Sequence, residues 1–200
     1  MTRSADASNG NKGAATRERL SRAAMQLFVA HGITATTTRQ IAEAAGLAEG
    51  TMYRHFESKD ALAHALYLEQ HLRLAGALQS AAEPMPSTRA KADAIVRTYC
   101  RLADEDWTAF AYHLLYQYRE YPRLHQIHRG PVEVVRDVIR EGMQRSEIPE
   151  RDLELAVGMA LGVVLQTAIQ RLYGMLEGRL SAVAPTLSMA VWRVLSADDE

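Results

Sequence analysis

The chain has 200 residues, 48 % of them hydrophobic, with 23 Lys and Arg against 24 Asp and Glu and a formal net charge of −1. That length suits one large domain or two smaller ones with a sizeable core. The balanced charge excludes a polybasic coat for nucleic acid, but not a DNA reader whose basic groups cover one face. The single cysteine, Cys100, excludes an intramolecular disulfide and a thiol-rich zinc site.

Residues 1–15 are polar and aperiodic, and are expected to form a disordered N-terminal arm without the apolar segment of a secretory signal. Thr16 is a suitable N-cap for a first helix whose face carries Leu20, Ala23, Ala24, Leu27 and Phe28 and which Gly32 ends. A second helix starts at Thr37, in a capping box with Gln40, and stops at Gly46. A short third helix is predicted from Ala48 to His55. Ser58 caps a long fourth helix, closed by Pro84 and Pro86. Helical patterns follow over residues 87–103, 106–118, from Pro131 on, 151–173 and 184–195, the last with Pro185 in its first turn. No stretch alternates as a strand does, so the fold is expected to be all-α. The most apolar run, Ala156 to Leu165, is too short to span a bilayer. The reading is therefore of a cytoplasmic chain without a membrane segment.

The segment TTTRQIAEAAGLAEGTMYRHF, residues 36–56, places two short helices about a tight turn at Gly46. Ile41, Ala42, Ala45, Leu47, Met52 and Phe56 are available to pack them together. This is the pattern of a helix-turn-helix, whose second helix enters the major groove of DNA. A plain helical hairpin fits the same pattern. Charge leans the same way as DNA binding: up to Leu66 there are eight Lys and Arg against six Asp and Glu, and beyond it fifteen against eighteen.

Residues 16–66 resemble the DNA-binding domain of the tetracycline-repressor (TetR) family. The resemblance rests on AMQLFVAHGITATTTRQIAEAAG followed by GTMYRHFESKDALAHAL, with Gly32, Thr37, Arg39, Ile41-Ala42, Gly46, Gly50-Thr51, Tyr53, Phe56, Lys59 and Leu62 in register. It implies a three-helix helix-turn-helix domain over residues 16–58, then a larger helical effector-binding and dimerisation domain over 59–200, with 59–82 as a connecting helix. It implies a sequence-specific transcriptional regulator, most simply a repressor released by a small molecule. Thr37 and Thr38 then hold a phosphate and Arg39 reaches a phosphate or guanine edge. Glu49, Gly50 and Thr51 open the recognition helix, Tyr53 and His55 contact backbone or base, and Lys59 anchors a phosphate. Two positions depart from the family pattern. Ala48 removes a side-chain cap worth about 1 kcal/mol. Glu49 stands where a basic or polar residue is frequent, which leaves the operator sequence open.

The remaining chain is read from its side chains and from the resembled architecture. Gly158 and Gly162 with Ala156 and Ala160 give small residues at close spacing beside the stripe Leu161, Leu165, Ile169 and Leu172. With Leu187, Val191, Trp192 and Leu195 on the last helix they suggest a homodimer seam, or else an intramolecular core. Tyr99, Trp107, Phe110, Tyr112, Tyr116, Tyr118 and Tyr121 cluster in two consecutive segments. Tyr99, Trp107, Tyr112 and Tyr116, with Gln166, are the candidates to line a pocket for a small apolar or amphipathic effector, ordinary core packing being the alternative. His113, His125 and His128 lack the carboxylate or cysteine pattern of a metal site, so no metal and no cofactor is expected. Cys100 is either a buried structural thiol or a sensor of oxidants. A dimer would read a near-palindromic duplex operator. No phosphate loop or nucleophile elbow points to an enzyme. A helical small-molecule enzyme using His113 as base, or an interaction module without operator binding, are the alternatives.

Overall fold

In the computed structural model the backbone is described for residues 4–124 and 129–197, and the side chains for 13–117, 119 and 129–197. These residues form nine helices and no strand: α1 (Ser4–Ala35), α2 (Thr38–Ala44), α3 (Glu49–Met52), α4 (Lys59–Ala82), α5 (Thr88–Glu105), α6 (Trp107–Leu124), α7 (Pro131–Gln144), α8 (Leu153–Leu172) and α9 (Leu180–Ser196). The all-α expectation holds. The helices divide into two compact units, Met1–Glu69 with Ala111–Glu120, and Gln70–Phe110 with Tyr121–Glu200. The first unit thus takes in the start of α4 and a segment of α6, both expected to belong to the second domain.

Two helix starts differ from the sequence reading. α1 begins at Ser4 rather than Thr16, so the expected disordered arm is helical over most of its length. Its polarity argues against a packed core but not against a helix, and its alanines favour one. α9 begins at Leu180, before Ala184, which places Pro185 inside the helix. The cause is a cap from far away in the chain. The buried carboxylate of Asp104, at the end of α5, accepts the backbone N–H of Leu180 at 3.0 Å and of Ser181 at 2.9 Å. No local residue signals that start.

In the first unit, Leu20, Ala24, Phe28, Ile41, Met52 and Leu62 are wholly buried, and Tyr67 and Tyr112 nearly so. α1 breaks at Gly32, whose φ of 82° is left-handed and costs an L side chain strain. The polar groups at the break are satisfied. Thr36 donates its hydroxyl to Gly32 O at 2.8 Å. The Tyr116 hydroxyl donates to Phe28 O and accepts from Ile33 N, both at 3.1 Å. Burial raises the Tyr116 hydroxyl above its ordinary pKa, so it stays protonated and able to donate.

The second unit is tied by buried polar groups. Besides its caps on α9, Asp104 pairs with Arg171 and lies 3.5 Å from Arg179. Burial alone would raise this carboxyl. The hydrogen bonds from Ser181, Arg171 and Leu180 together outweigh burial and hold it well below the usual carboxylate range. Glu147 accepts the N–H of Thr88 at the start of α5 at 2.5 Å, and Ser188 on α9 donates to Asp93 at 2.6 Å. Cys100 is fully buried, and burial with the nearby Asp104 charge pushes its thiol up to about 11, which fits the structural alternative.

Candidate nucleic-acid interface

The turn between α2 and α3 is built from both directions. The Thr37 hydroxyl accepts from Gln40 N at 3.2 Å while Gln40 Oε1 accepts from Thr37 N at 2.8 Å, the expected capping box. At the other end Gly46 takes a φ of 63°, which lets Leu47 N return to Ala42 O at 2.9 Å. Arg19 of α1 lays its guanidinium over this end, donating to Ala45 O at 2.5 Å and Gly46 O at 3.3 Å. A cation on the final carbonyls of α2 is also favoured by the helix dipole. Beneath the turn Ile41, Ala42, Met52 and Phe56 are buried, and Arg17 stacks 4.9 Å over the Phe56 ring.

The opposite side is polar and open. Thr37, Arg39, Glu49, Gly50 and Tyr53 are exposed, while Thr38, Thr51, His55 and Lys59 are half-buried. Tyr53 keeps 54 % of its surface in solvent, unusual for so large a ring without an external partner. A Cβ added to Gly50 would meet nothing within 4 Å, so the start of α3 presents bare backbone. Ala48 supplies no side-chain cap, as expected.

Several of these groups are engaged with one another. Thr38 donates its hydroxyl to Glu49 Oε1 at 2.7 Å, and the Tyr53 hydroxyl reaches Thr38 at 3.5 Å. Arg39 pairs with Glu43 at 2.8 Å. That hydrogen bond first, then the charges of Glu43 and Glu49, hold the guanidinium above its ordinary pKa. Lys59 donates to Thr36 O at 2.5 Å and Thr34 O at 3.3 Å, so its ammonium closes the chain after α1. The Arg39–Glu43 spacing was readable in the sequence. The Arg19 clamp and the Thr38–Glu49 bond were not, because each joins different helices.

The five candidate effector residues do not share a unit. Tyr99 and Trp107 lie in the second, both against Phe110, at ring-centre distances of 4.8 and 5.8 Å. The Arg171 guanidinium stacks 4.2 Å over Trp107. Tyr112 and Tyr116 lie in the first, where the Tyr112 hydroxyl donates to Ala63 O at 2.7 Å and Tyr116 serves the α1 break. Gln166 is exposed on α8. Tyr118, Tyr121, His125 and His128 lie outside the residues whose side chains are described. Among the described residues no group of three or more His, Cys, Asp or Glu is placed to hold a metal.

On α8, Gly158 and Gly162 are exposed, and a Cβ on either would meet nothing within 4 Å. Leu165 and Ile169 are partly covered, as is Trp192 on α9. Leu187 is buried within the chain, with Val191 and Leu195, so it belongs to the intrachain core. Within α8 and α9 the exposed large apolar side chains are instead Leu155 at 59 % and Met189 at 49 %. α9 is apolar on two sides, which the sequence pattern could not separate. α8 as folded extends the short apolar run to a helix of 20 residues with an 18-residue stretch of mean hydropathy 1.5, long and apolar enough by composition to cross a membrane, and 22 % of that stretch is buried.

A helical chain with an N-terminal helix-turn-helix, open and polar on its recognition side, has the layout of a helix-turn-helix DNA-binding protein. Residues 20–66 match the family of bacterial regulatory proteins of the tetR type. It is 50 % identical over 56 residues to the uncharacterized HTH-type transcriptional regulator YvkB of Bacillus subtilis, a match covering 28 % of this chain and 29 % of that protein. Over 107 residues it is 33 % identical to the HTH-type transcriptional repressor KstR2 of Rhodococcus jostii, covering 54 % of this chain and 52 % of the relative. The chain thus spans about half or less of the length of these curated relatives. Its fold is similar to that of the fatty acid degradation regulator FadR from Bacillus halodurans, with a TM-score of 0.77 at 20 % identity, over 90 % of this chain and 94 % of that one.

Proposed function

We propose that the chain is a homodimeric repressor that binds a near-palindromic DNA operator and is released from it by a small apolar or amphipathic molecule, acting in the cytoplasm where the DNA lies. The observation that carries this is the recognition face. Thr37, Arg39, Glu49, Gly50 and Tyr53 are exposed together on a helix-turn-helix whose other side is buried and clamped by Arg19. Recognition helices read base edges with their N-terminal residues, and flanking hydroxyls and cations contact phosphates. Lys59 and Tyr53 supply backbone contacts in this reading, Arg39 a phosphate or guanine, and Thr51 and His55 flank the base-reading end.

The dimer rests on the uncovered face of α8 and α9. Gly158 and Gly162 permit close helix approach, and Leu155, Leu165 and Ile169 on α8 and Met189 and Trp192 on α9 are exposed or only partly covered. So long an apolar helix, with Leu155, Gly158 and Gly162 exposed and Leu165 and Ile169 only partly covered, calls for a partner of the same kind. Trp107 is the proposed effector contact in the second unit, together with Tyr99 and the Arg171 guanidinium stacked on the indole. In a Trp192→Phe background Trp107 is the single tryptophan, so an effector should change its fluorescence and release DNA at the same concentration.

Footprinting on the DNA flanking the coding gene tests the reading. Two half-sites related by a two-fold axis should be protected, their centres a whole number of helical turns apart, each turn about 34–36 Å. Protection of a single asymmetric half-site contradicts it.

A further inference from the structure

We propose that Glu49 reads a cytosine in each half-site and that Thr38 is its positioning residue rather than a phosphate contact. This rests on the operator-binding reading above. Thr38 sits in the first turn of α2 and Glu49 in the first turn of α3, so the bond between them crosses the turn of the helix-turn-helix. At 2.7 Å the Thr38 proton points at Glu49 Oε1. A hydroxyl has one proton, so Thr38 cannot donate to a phosphate while it holds this carboxylate. The Tyr53 hydroxyl, reaching Thr38 from the far end of α3, leaves the proton of Thr38 directed to Glu49.

The carboxylate is therefore aimed. Among the described residues Thr38 is its hydrogen-bond partner through Oε1, and Oε2 remains for another donor. A side chain held by one bond loses less rotamer freedom when it makes the next. Its chemistry selects the base. An ionised carboxylate only accepts hydrogen bonds. In the major groove guanine shows two acceptors, adenine an acceptor beside its amine, and thymine an acceptor and a methyl group. Cytosine alone shows an amine with no acceptor next to it. Glu49 fits cytosine N4 and is repelled by the acceptors of the other bases. The nearby Arg39 moderates the charge this places between phosphates.

The test begins with wild-type protein and a randomised duplex library, followed by binding measurements on single-base variants of the selected sequence. One position per half-site should require cytosine, with a penalty of roughly 5- to 150-fold for other bases. Glu49→Ala should abolish that preference while leaving preferences elsewhere intact. Thr38→Val, which removes the hydroxyl at constant shape, should reduce the same preference and no other, and Thr38→Ser should restore it. In the Glu49→Ala background Thr38→Val should change nothing further. Thr38→Val weakening every duplex by one factor, with the cytosine preference retained, makes Thr38 a phosphate contact and overturns the proposal. Should Thr38→Val not fold, Glu49→Ala still decides, since an unchanged base preference overturns the assignment. A wild type that selects some sequence without a required cytosine overturns this proposal alone. One that selects no sequence overturns the operator reading with it.

Discussion

The two ends of the chain dispose of polar groups in opposite ways. Around α2 and α3 the polar side chains face outward and the apolar ones are buried, so the surface carries the chemistry. Around α8 and α9 the carboxylate of Asp104 is buried among helix ends and arginines, while glycines and large apolar side chains remain outside. An exposed polar face waits for a charged, hydrated partner. An exposed apolar face beside a well-tied interior waits for another apolar face.

The sharpest break in this contrast is Gly162→Arg. The site is open, so the subunit should fold with an unchanged or slightly raised melting temperature. Dimerisation should fail, and with it the avidity of two half-sites, a loss of roughly 10²–10⁴ in operator affinity. Light scattering decides: a dimer that persists with the arginine in place removes α8 from the interface. Leu165→Asp is the poorer probe, since Leu165 is partly covered within its own chain.

Asp104→Asn tests the interior of the second unit. It leaves Arg171 beside an uncharged group and weakens the remote cap on α9, at a cost of about 3 kcal/mol in unfolding free energy. The sign with pH follows from the lowered folded-state pKa. Asp104 contributes in full above the unfolded value near 4 and loses its contribution as pH falls further. The gap between wild type and variant should stay constant from about pH 5 to 8 and narrow in more acid solution. A gap that widens in acid contradicts the assignment.

The first unit offers a milder counterpart. Tyr116→Phe removes one hydroxyl from the α1 break and should cost about 1–2 kcal/mol in thermal or urea unfolding. No loss would mean that the break at Gly32 is held by Thr36 alone.

These contrasts also explain what was legible in advance. The helix-turn-helix could be read because its determinants are local: a capping box four residues long, a glycine at the turn, and apolar positions at helical spacing. The long helices were legible for the same reason, from the Ser58 cap, Pro131 at a first position and apolar positions at helical spacing. The start of α9 was not, because its cap comes from Asp104 on another helix. Tyr112 and Tyr116 share a helical face with an apolar lining, and only the backbone partners of their hydroxyls show a structural use. Leu187 and Met189 could not be sorted into inside and outside while α9 was apolar on two sides.

Lys59→Ala is the smallest expected effect. It should weaken binding to all duplexes alike and lower the slope of log affinity against log salt by about one. The lost bonds to Thr34 O and Thr36 O should add a stability cost of about 1 kcal/mol. An unchanged slope would confine Lys59 to closing the chain after α1.

The central claim is that the α2–α3 face reads DNA sequence, and the most direct measurement compares two affinities of the wild-type protein at one physiological salt concentration. Fluorescence anisotropy would be recorded with the library-selected duplex and with a scrambled duplex of equal length and composition. The expected dissociation constant is roughly 10⁻⁸–10⁻¹¹ M for the first, with a preference of at least about 10³ over the second. Equal affinity for the two duplexes would contradict it.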